Sequence, residues 1–182
     1  MVDWQMIVMV TLIICQRLSE LYIAKSNRAW ALKAGAQEFG ARHYPLFFLL
    51  HIGWLVGWVI ESSLGGGSVS EFWFLWLSLF MIAQGLRYWC MASLGPLWNT
   101  RILVIPKGLS IDTGPYRFLR HPNYLAVAIE LISVPLIFGA VITATLVTFL
   151  NAVLILGIRI PQENNALRLL KQVANIKKVF DI

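Results

Sequence analysis

The residues whose types and spacing suit chemistry fall mainly in one run, Gly114-Pro115-Tyr116-Arg117-Phe118-Leu119-Arg120-His121-Pro122-Asn123-Tyr124. Proline at 122 fits the first turn of a helix, where its missing N–H costs nothing. That sets His121 at the cap and Asn123 and Tyr124 on the first turn. A helix N-terminus carries unpaired N–H groups and partial positive charge, so it favours a carboxylate or another anionic group. A second polar group, Arg159, Gln162, Glu163, Asn164 and Asn165, follows the last long apolar run. Brought to one membrane surface, the two groups would frame a pocket for a polar cofactor beside a lipid-soluble substrate. The competing role for His121 is a cap or interfacial imidazole bonded to backbone.

Four more charges lie inside apolar sequence: Arg17, Glu20, Arg87 and Glu130. Arg17 and Glu20 are three residues apart and share a helix face. A lone charge in hydrocarbon is expensive, so pairing or placement near the interface is expected; a snorkelling pair at the helix end is the alternative. Glu130 is expected either to partner Arg87 or Arg17 or to line the pocket. His43 and His51 stand alone and read as interfacial residues.

The elements that must position these groups follow from composition. Of 182 residues, 58% are apolar and only 13% charged, with a mean hydropathy of +0.70. A soluble domain is about half apolar and about a quarter charged, and a chain this size has too little interior to hide so much hydrocarbon. Lipid is the simplest solvent for it. The reading is a single all-α integral membrane domain over residues 1–182. Spans are expected at about 4–23, 44–60, 72–94, 122–137 and 140–158. The N-terminal run lacks a basic leader region and a small-residue cleavage pattern, so it reads as a retained span. Cys15 and Cys90 have neither metal-ligand nor disulfide spacing and read as small buried apolar residues.

The formal net charge of +6 raises the question of nucleic acid, but its distribution argues for membrane topology and no nucleic-acid partner. Lys25–Arg42 holds four Lys/Arg, Arg87–Arg120 five and the segment from Arg159 five, whereas Glu61–Glu71 holds none. Positive-inside bias puts the three basic segments in the cytoplasm and the Gly65-Gly66-Gly67 connection outside. Both ends of the 122–158 run are then cytoplasmic, and that run is too long for one span of about 20 residues. It must double back, with a tight hairpin near Pro135–Gly139. Five spans result, with the N-terminus outside and the C-terminus inside.

The RHPNY segment within GPYRFLRHPNY resembles the RHPxY signature of isoprenylcysteine carboxyl methyltransferases, integral membrane enzymes that use S-adenosylmethionine. RLSELYIAKSNRAW, RYWCMASLGPLWNTRILVIP and RIPQENNAL are similar to the short bacterial branch of that family, so the likeness spans roughly residues 17 to 170. Some members of that branch methylate hydroxyls of polyketide-derived lipids. The resemblance implies a multi-pass protein of the bacterial plasma membrane, with S-adenosylmethionine held where the hairpin meets the cytosol. It implies cofactor-binding roles for Tyr116, Arg120, His121, Pro122, Tyr124 and Glu163, and catalytic roles for His121, Arg159 and Glu163. Two departures stand out: Asn164 occupies the second position of the family's acidic pair, and the sequence after Leu167 lacks the tyrosine-rich, arginine-containing segment of the longer enzymes. These weaken the prenylcysteine carboxyl reaction specifically.

Methyl transfer from a sulfonium needs alignment and water exclusion more than covalent help. A carboxylate acceptor needs no base; a hydroxyl acceptor would draw on His121 or Arg159. No G-x-G-x-x-G follows a strand pattern. The alternatives are an NADPH-dependent membrane reductase of lipid double bonds, which shares an HPNY-type hairpin, and a non-catalytic membrane protein retaining the fold. Acceptor identity and oligomeric state stay open.

Overall fold

A computed structural model describes residues 4–106 and 112–169. Lys107 and the segment beyond Leu169, both part of the charge reading above, lie outside the described residues. Five helices make up the bundle: α1 (Trp4–Lys33), α2 (Tyr44–Leu64), α3 (Trp73–Leu94), α4 (Pro122–Ile137) and α5 (Val141–Leu154). α5 passes through a π-helical turn (Ile155–Arg159) into further helix, so that one rod spans Val141–Leu169. Trp4–Lys33, Ala41–Leu64 and Val141–Leu169 are long and apolar enough to cross a membrane. Exposed Leu12, Leu18, Leu49, Val56, Met81, Phe149 and Val153 give the bundle an apolar exterior, which in a membrane protein faces lipid.

Two local features depart from the sequence expectation. α1 continues past Ile23 through Lys33, because the segment NRAWALK is rich in good helix formers. The polar connections also contribute a two-stranded antiparallel sheet, β1 (Gln37–Phe39) paired with β2 (Ile102–Val104), in which Glu38 faces Leu103. Strands of three residues carry no periodic signal, so an all-α reading passes over them. Cys90 is buried, whereas Cys15 is exposed on α1; there a thiol is apolar enough to meet lipid without cost.

α4 is short, and it is enclosed. At 16 residues it is about 24 Å long, less than the roughly 30 Å hydrocarbon thickness. It packs between α3 and α5. Its Ala126, Leu131, Val134 and Ile137 are buried, and the last three meet Met6, Met9 and Ile13 of α1, Trp54 and Trp58 of α2 and Phe80 of α3 in the core. Pro135 cannot donate to the Leu131 carbonyl, the acceptor one turn back. The indole N–H of Trp54 donates to that carbonyl instead, at 3.0 Å. Trp58 stacks on Phe138 with ring centroids 5.0 Å apart.

The α4–α5 turn occupies residues 138–140, with Gly139 at φ 70°. Glu61 at the end of α2 fastens it: its carboxylate accepts the N–H groups of Ile142 (2.8 Å) and Thr143 (2.7 Å) and the Thr143 hydroxyl (2.7 Å). A carboxylate on the first turn of a helix satisfies orphan donors and complements the dipole. The Ser70 N–H donates to the Ile137 carbonyl at 2.8 Å. With the hairpin tip held at this end, the other ends of α4 and α5 meet beside the basic connections.

Candidate functional site

Midway along α4, Glu130 is fully buried and closes a ring of charges. Arg17 donates to Glu20 (2.8 Å) and to Glu130 (2.7 Å). Arg87 donates to both oxygens of Glu20, at 3.0 and 3.1 Å, and to Glu130. Gln16 donates to Glu20 (2.8 Å) and Gln84 (2.6 Å). Two arginines and two glutamates leave no net charge, which is what an interior this apolar requires. Glu130 therefore partners both arginines that the sequence offered for it. His51 lies within α2, with Nδ1 2.7 Å from the Phe47 carbonyl.

At the basic end of the bundle, Pro122 starts α4 and is buried, and His121 occupies the cap position. The His121 carbonyl accepts the Tyr124 N–H at 3.1 Å, and the His121 ring stacks on Tyr124 with centroids 5.2 Å apart. The Tyr124 hydroxyl donates to Glu163 at 2.8 Å and accepts from Arg159 Nε at 3.1 Å. Arg159 Nη2 also donates to the Thr100 carbonyl at 3.0 Å, and its guanidinium lies 6.0 Å from the Phe47 ring. His121 Nδ1 stands 3.8 Å from Glu163. The two sequence-distant polar groups thus meet on Tyr124.

The π turn makes this possible. Arg159 and Glu163, four residues apart, share a face, and the turn carries one residue more than an α-helix would. Removing that residue would rotate both side chains by about 100° away from α4.

The remaining candidates sit differently. Tyr116 lies in a short turn (Gly114–Arg117), half-buried against Cys90 of α3; burial pushes its phenol up, and the neighbouring Cys90 adds to this. That turn requires glycine at 114: φ is +57°, and a Cβ would come within 2.0 Å of the Ser93 hydroxyl. Arg120 is exposed and makes no hydrogen bond among the described residues. Asn164 and Asn165 are exposed as well, so the missing second glutamate falls on a position outside the Tyr124 cluster. Of the buried polar atoms without a partner among the described residues, His43 Nδ1, Trp98 Nε1 and Asn123 Oδ1 lie near this end.

Sequence reasoning overlooked the frame around Arg159. Tyr44 and Thr100 hydroxyls lie 3.3 Å apart. Asn99 donates to the Ala24 carbonyl (2.9 Å) and Asn27 to the Trp98 carbonyl (2.8 Å), which ties the 98–101 segment to α1. Asparagines in a polar connection carry no local sign of such long-range bonds. A cavity of about 10 Å³ between Gly40, His43, Phe47 and Arg159 has room for about one water.

The family model described as "Isoprenylcysteine carboxyl methyltransferase (ICMT) family" matches residues 76–169, which contain Tyr124, Arg159 and Glu163. The Bacillus subtilis protein YpbQ is 37% identical over 88% of this chain and 95% of its own length. An uncharacterized protein of Haemophilus influenzae is 27% identical over 85% of this chain and 90% of its own. No solved structure matches.

Proposed function

The chain belongs to the isoprenylcysteine carboxyl methyltransferase family, and on that premise we propose that it moves a methyl group from S-adenosylmethionine to a carboxyl or hydroxyl oxygen of a lipophilic acceptor. The observation that carries the reading is the hydrogen bond from Tyr124 to Glu163, which joins the RHPNY segment to the end of α5. The basic end of the bundle faces the cytoplasm, five helices cross the membrane, and the N-terminus lies outside. The cofactor then arrives from the cytosol and the acceptor from the bilayer.

The donor set suits the cofactor. Glu163 is an anion for a sulfonium or ammonium group, and the α4 N-terminus with Arg159 offers donors to a carboxylate. The unpaired Asn123 Oδ1 is a further acceptor. Tyr116, His121, Pro122, Tyr124 and Glu163 line the site, and Arg120 reaches it from the exposed turn. Bound S-adenosylmethionine supplies a methyl group already activated on sulfur.

The chain's own residues then have limited work. Tyr124, held between Arg159 and Glu163, fixes the carboxylate's position. The enclosed α4–α5 seam keeps water from the reacting oxygen. A carboxylate acceptor needs only alignment. A hydroxyl acceptor must lose a proton; His121 takes it at a ring nitrogen, and Arg159 stabilises the oxyanion. Incubating the purified protein with methyl-labelled S-adenosylmethionine and a lipid extract tests this. Label should pass into an organic-soluble product, base-labile for a carboxyl ester and base-stable for a hydroxyl ether; no organic-soluble label would overturn the reading.

A further inference from the structure

A second, larger cleft is lined in part by Thr100, whose carbonyl accepts from Arg159. It encloses about 230 Å³ between the end of α1 and residues 99–101, against roughly 10–15 Å³ for a single water. Leu21, Lys25 and Arg28 line it from α1. At spacings of four and three residues they share one helix face, apolar first and then cationic toward Lys33. Arg101 and Tyr44 close the other side, with the Arg101 guanidinium 4.2 Å from the Tyr44 ring.

The charge in this cleft is unbalanced. Arg28 and Arg101 share one carboxylate, Glu38, and Lys25 adds a third cation. Arg28 Nε and Nη2 both donate to Glu38 Oε2, at 3.1 and 2.8 Å, while Arg101 Nη1 occupies Oε1 at 2.5 Å. Burial pushes the Glu38 carboxyl up, but the hydrogen bonds from Arg28 and Arg101 outweigh it and hold the group below its ordinary range. Glu38 is therefore fully engaged as an anion, and it orients the two guanidinium planes. Arg28 Nη1, Arg101 Nη2 and the Lys25 ammonium keep donors with no partner among the described residues. An excess of two positive charges remains.

We infer that this cleft binds the phosphate headgroup of an anionic membrane lipid. Guanidinium forks match phosphate oxygens, and a lysine adds a point charge. The level is right for a lipid: exposed Leu18 and Tyr22 precede Lys25 on α1, so the cations sit where hydrocarbon gives way to headgroups. Leu21 then meets the start of the acyl chains while Lys25 and Arg28, up to about 10 Å further along the helix, meet the phosphate. Neither Tyr124 nor Glu163 lines this cleft, and the inference does not rest on the methyl-transfer reading.

Native mass spectrometry of the full chain in neutral detergent, titrated with dioleoylphosphatidylglycerol or dioleoylphosphatidylcholine, tests it. Phosphatidylglycerol should bind in preference, as a single tight adduct. Lys25→Gln, which breaks no pair in the protein, should weaken it roughly fivefold, since a basic residue near an anionic lipid surface contributes about 1 kcal/mol; Lys25→Arg should retain it. Lys33→Gln removes the same charge outside the cleft and should leave binding unchanged. Equal losses from Lys25→Gln and Lys33→Gln would reduce the effect to net charge and overturn the site. Displacement of the lipid by millimolar inorganic phosphate would assign the cleft to a soluble anion and overturn the lipid as its source.

Discussion

The hydroxyl of Tyr124 and the carboxylate of Glu163, 39 residues apart, lie within 2.8 Å of each other across the α4–α5 hairpin. Everything that holds the hairpin shut holds this contact: Glu61 at the turn, Trp54 on the Leu131 carbonyl, the charge ring at mid-height and the π turn below it. Each of these supports can be removed separately.

Trp54 compensates for Pro135. Trp54→Phe should leave the Leu131 carbonyl buried and unpaired and lower stability by about 1–3 kcal/mol. Adding Pro135→Ala to that variant supplies a backbone N–H and should recover part of the loss. Thermal unfolding followed by intrinsic fluorescence reads both, and a Pro135→Ala change that deepens the loss would refute the compensation.

The ring of Arg17, Glu20, Arg87 and Glu130 balances charge in pairs. Arg87→Met alone leaves two buried carboxylates on the single guanidinium of Arg17 and should cost about 3–5 kcal/mol. The double change Arg87→Met with Glu130→Leu leaves Arg17 paired with Glu20 and should unfold at a temperature closer to the parent than the single variant does. If the double variant is the less stable of the two, the ring is not a set of exchangeable pairs.

How much of this was legible in the sequence depends on the range of the interaction. Pro135 and Gly139 interrupt an apolar run flanked by basic segments, and the turn lies at 138–140. Arg17, Glu20, Arg87 and Glu130 were visible as charges needing partners, because hydrocarbon tolerates no others. The Arg17–Glu20 pair was visible from its spacing, but that Glu130 would meet both arginines and Arg87 also Glu20 was not, since α1, α3 and α4 come together only in three dimensions. Glu61 gave no sign of capping a helix 81 residues later, and Ile155–Arg159 has the composition of any apolar helix, so nothing announced the π turn. Arg120 shows the converse: adjacency to His121 in sequence placed it in the motif, and in the fold it is exposed with no hydrogen bond among the described residues.

The π turn sets the rotation of the end of α5. Deleting Gly157, around which a Cβ would meet only open space, should restore an α-helical repeat and swing Arg159 and Glu163 by about 100°. Helicity by circular dichroism should hold while methyl transfer falls at least a hundredfold. Retained activity would separate the π turn from the site. Gly157→Ala, which keeps the residue count, is the control and should remain active.

Glu38 gives the basic end a pH dependence. Its ordinary value of 4.5 is lowered in the folded protein, so the stability it contributes is complete above the unfolded value and is lost as pH falls through the folded one. Glu38→Gln should therefore be less stable than the parent at neutral pH, and the gap should close on acidification below about 4. Melting temperatures across pH 3–7 check this; a gap that widens in acid would reverse the sign.

The most direct measurement is calorimetric titration of the detergent-solubilised protein with S-adenosylmethionine, S-adenosylhomocysteine and NADPH, repeated on Glu163→Gln and Tyr124→Phe. Both adenosyl compounds should bind the parent. Glu163→Gln should weaken S-adenosylmethionine about tenfold or more, the loss of one charge-assisted contact, and Tyr124→Phe should weaken it less, with melting temperatures near the parent's. Binding of NADPH alone, or S-adenosylmethionine affinity unchanged in both variants, would contradict the assignment of this hairpin as the cofactor's seat.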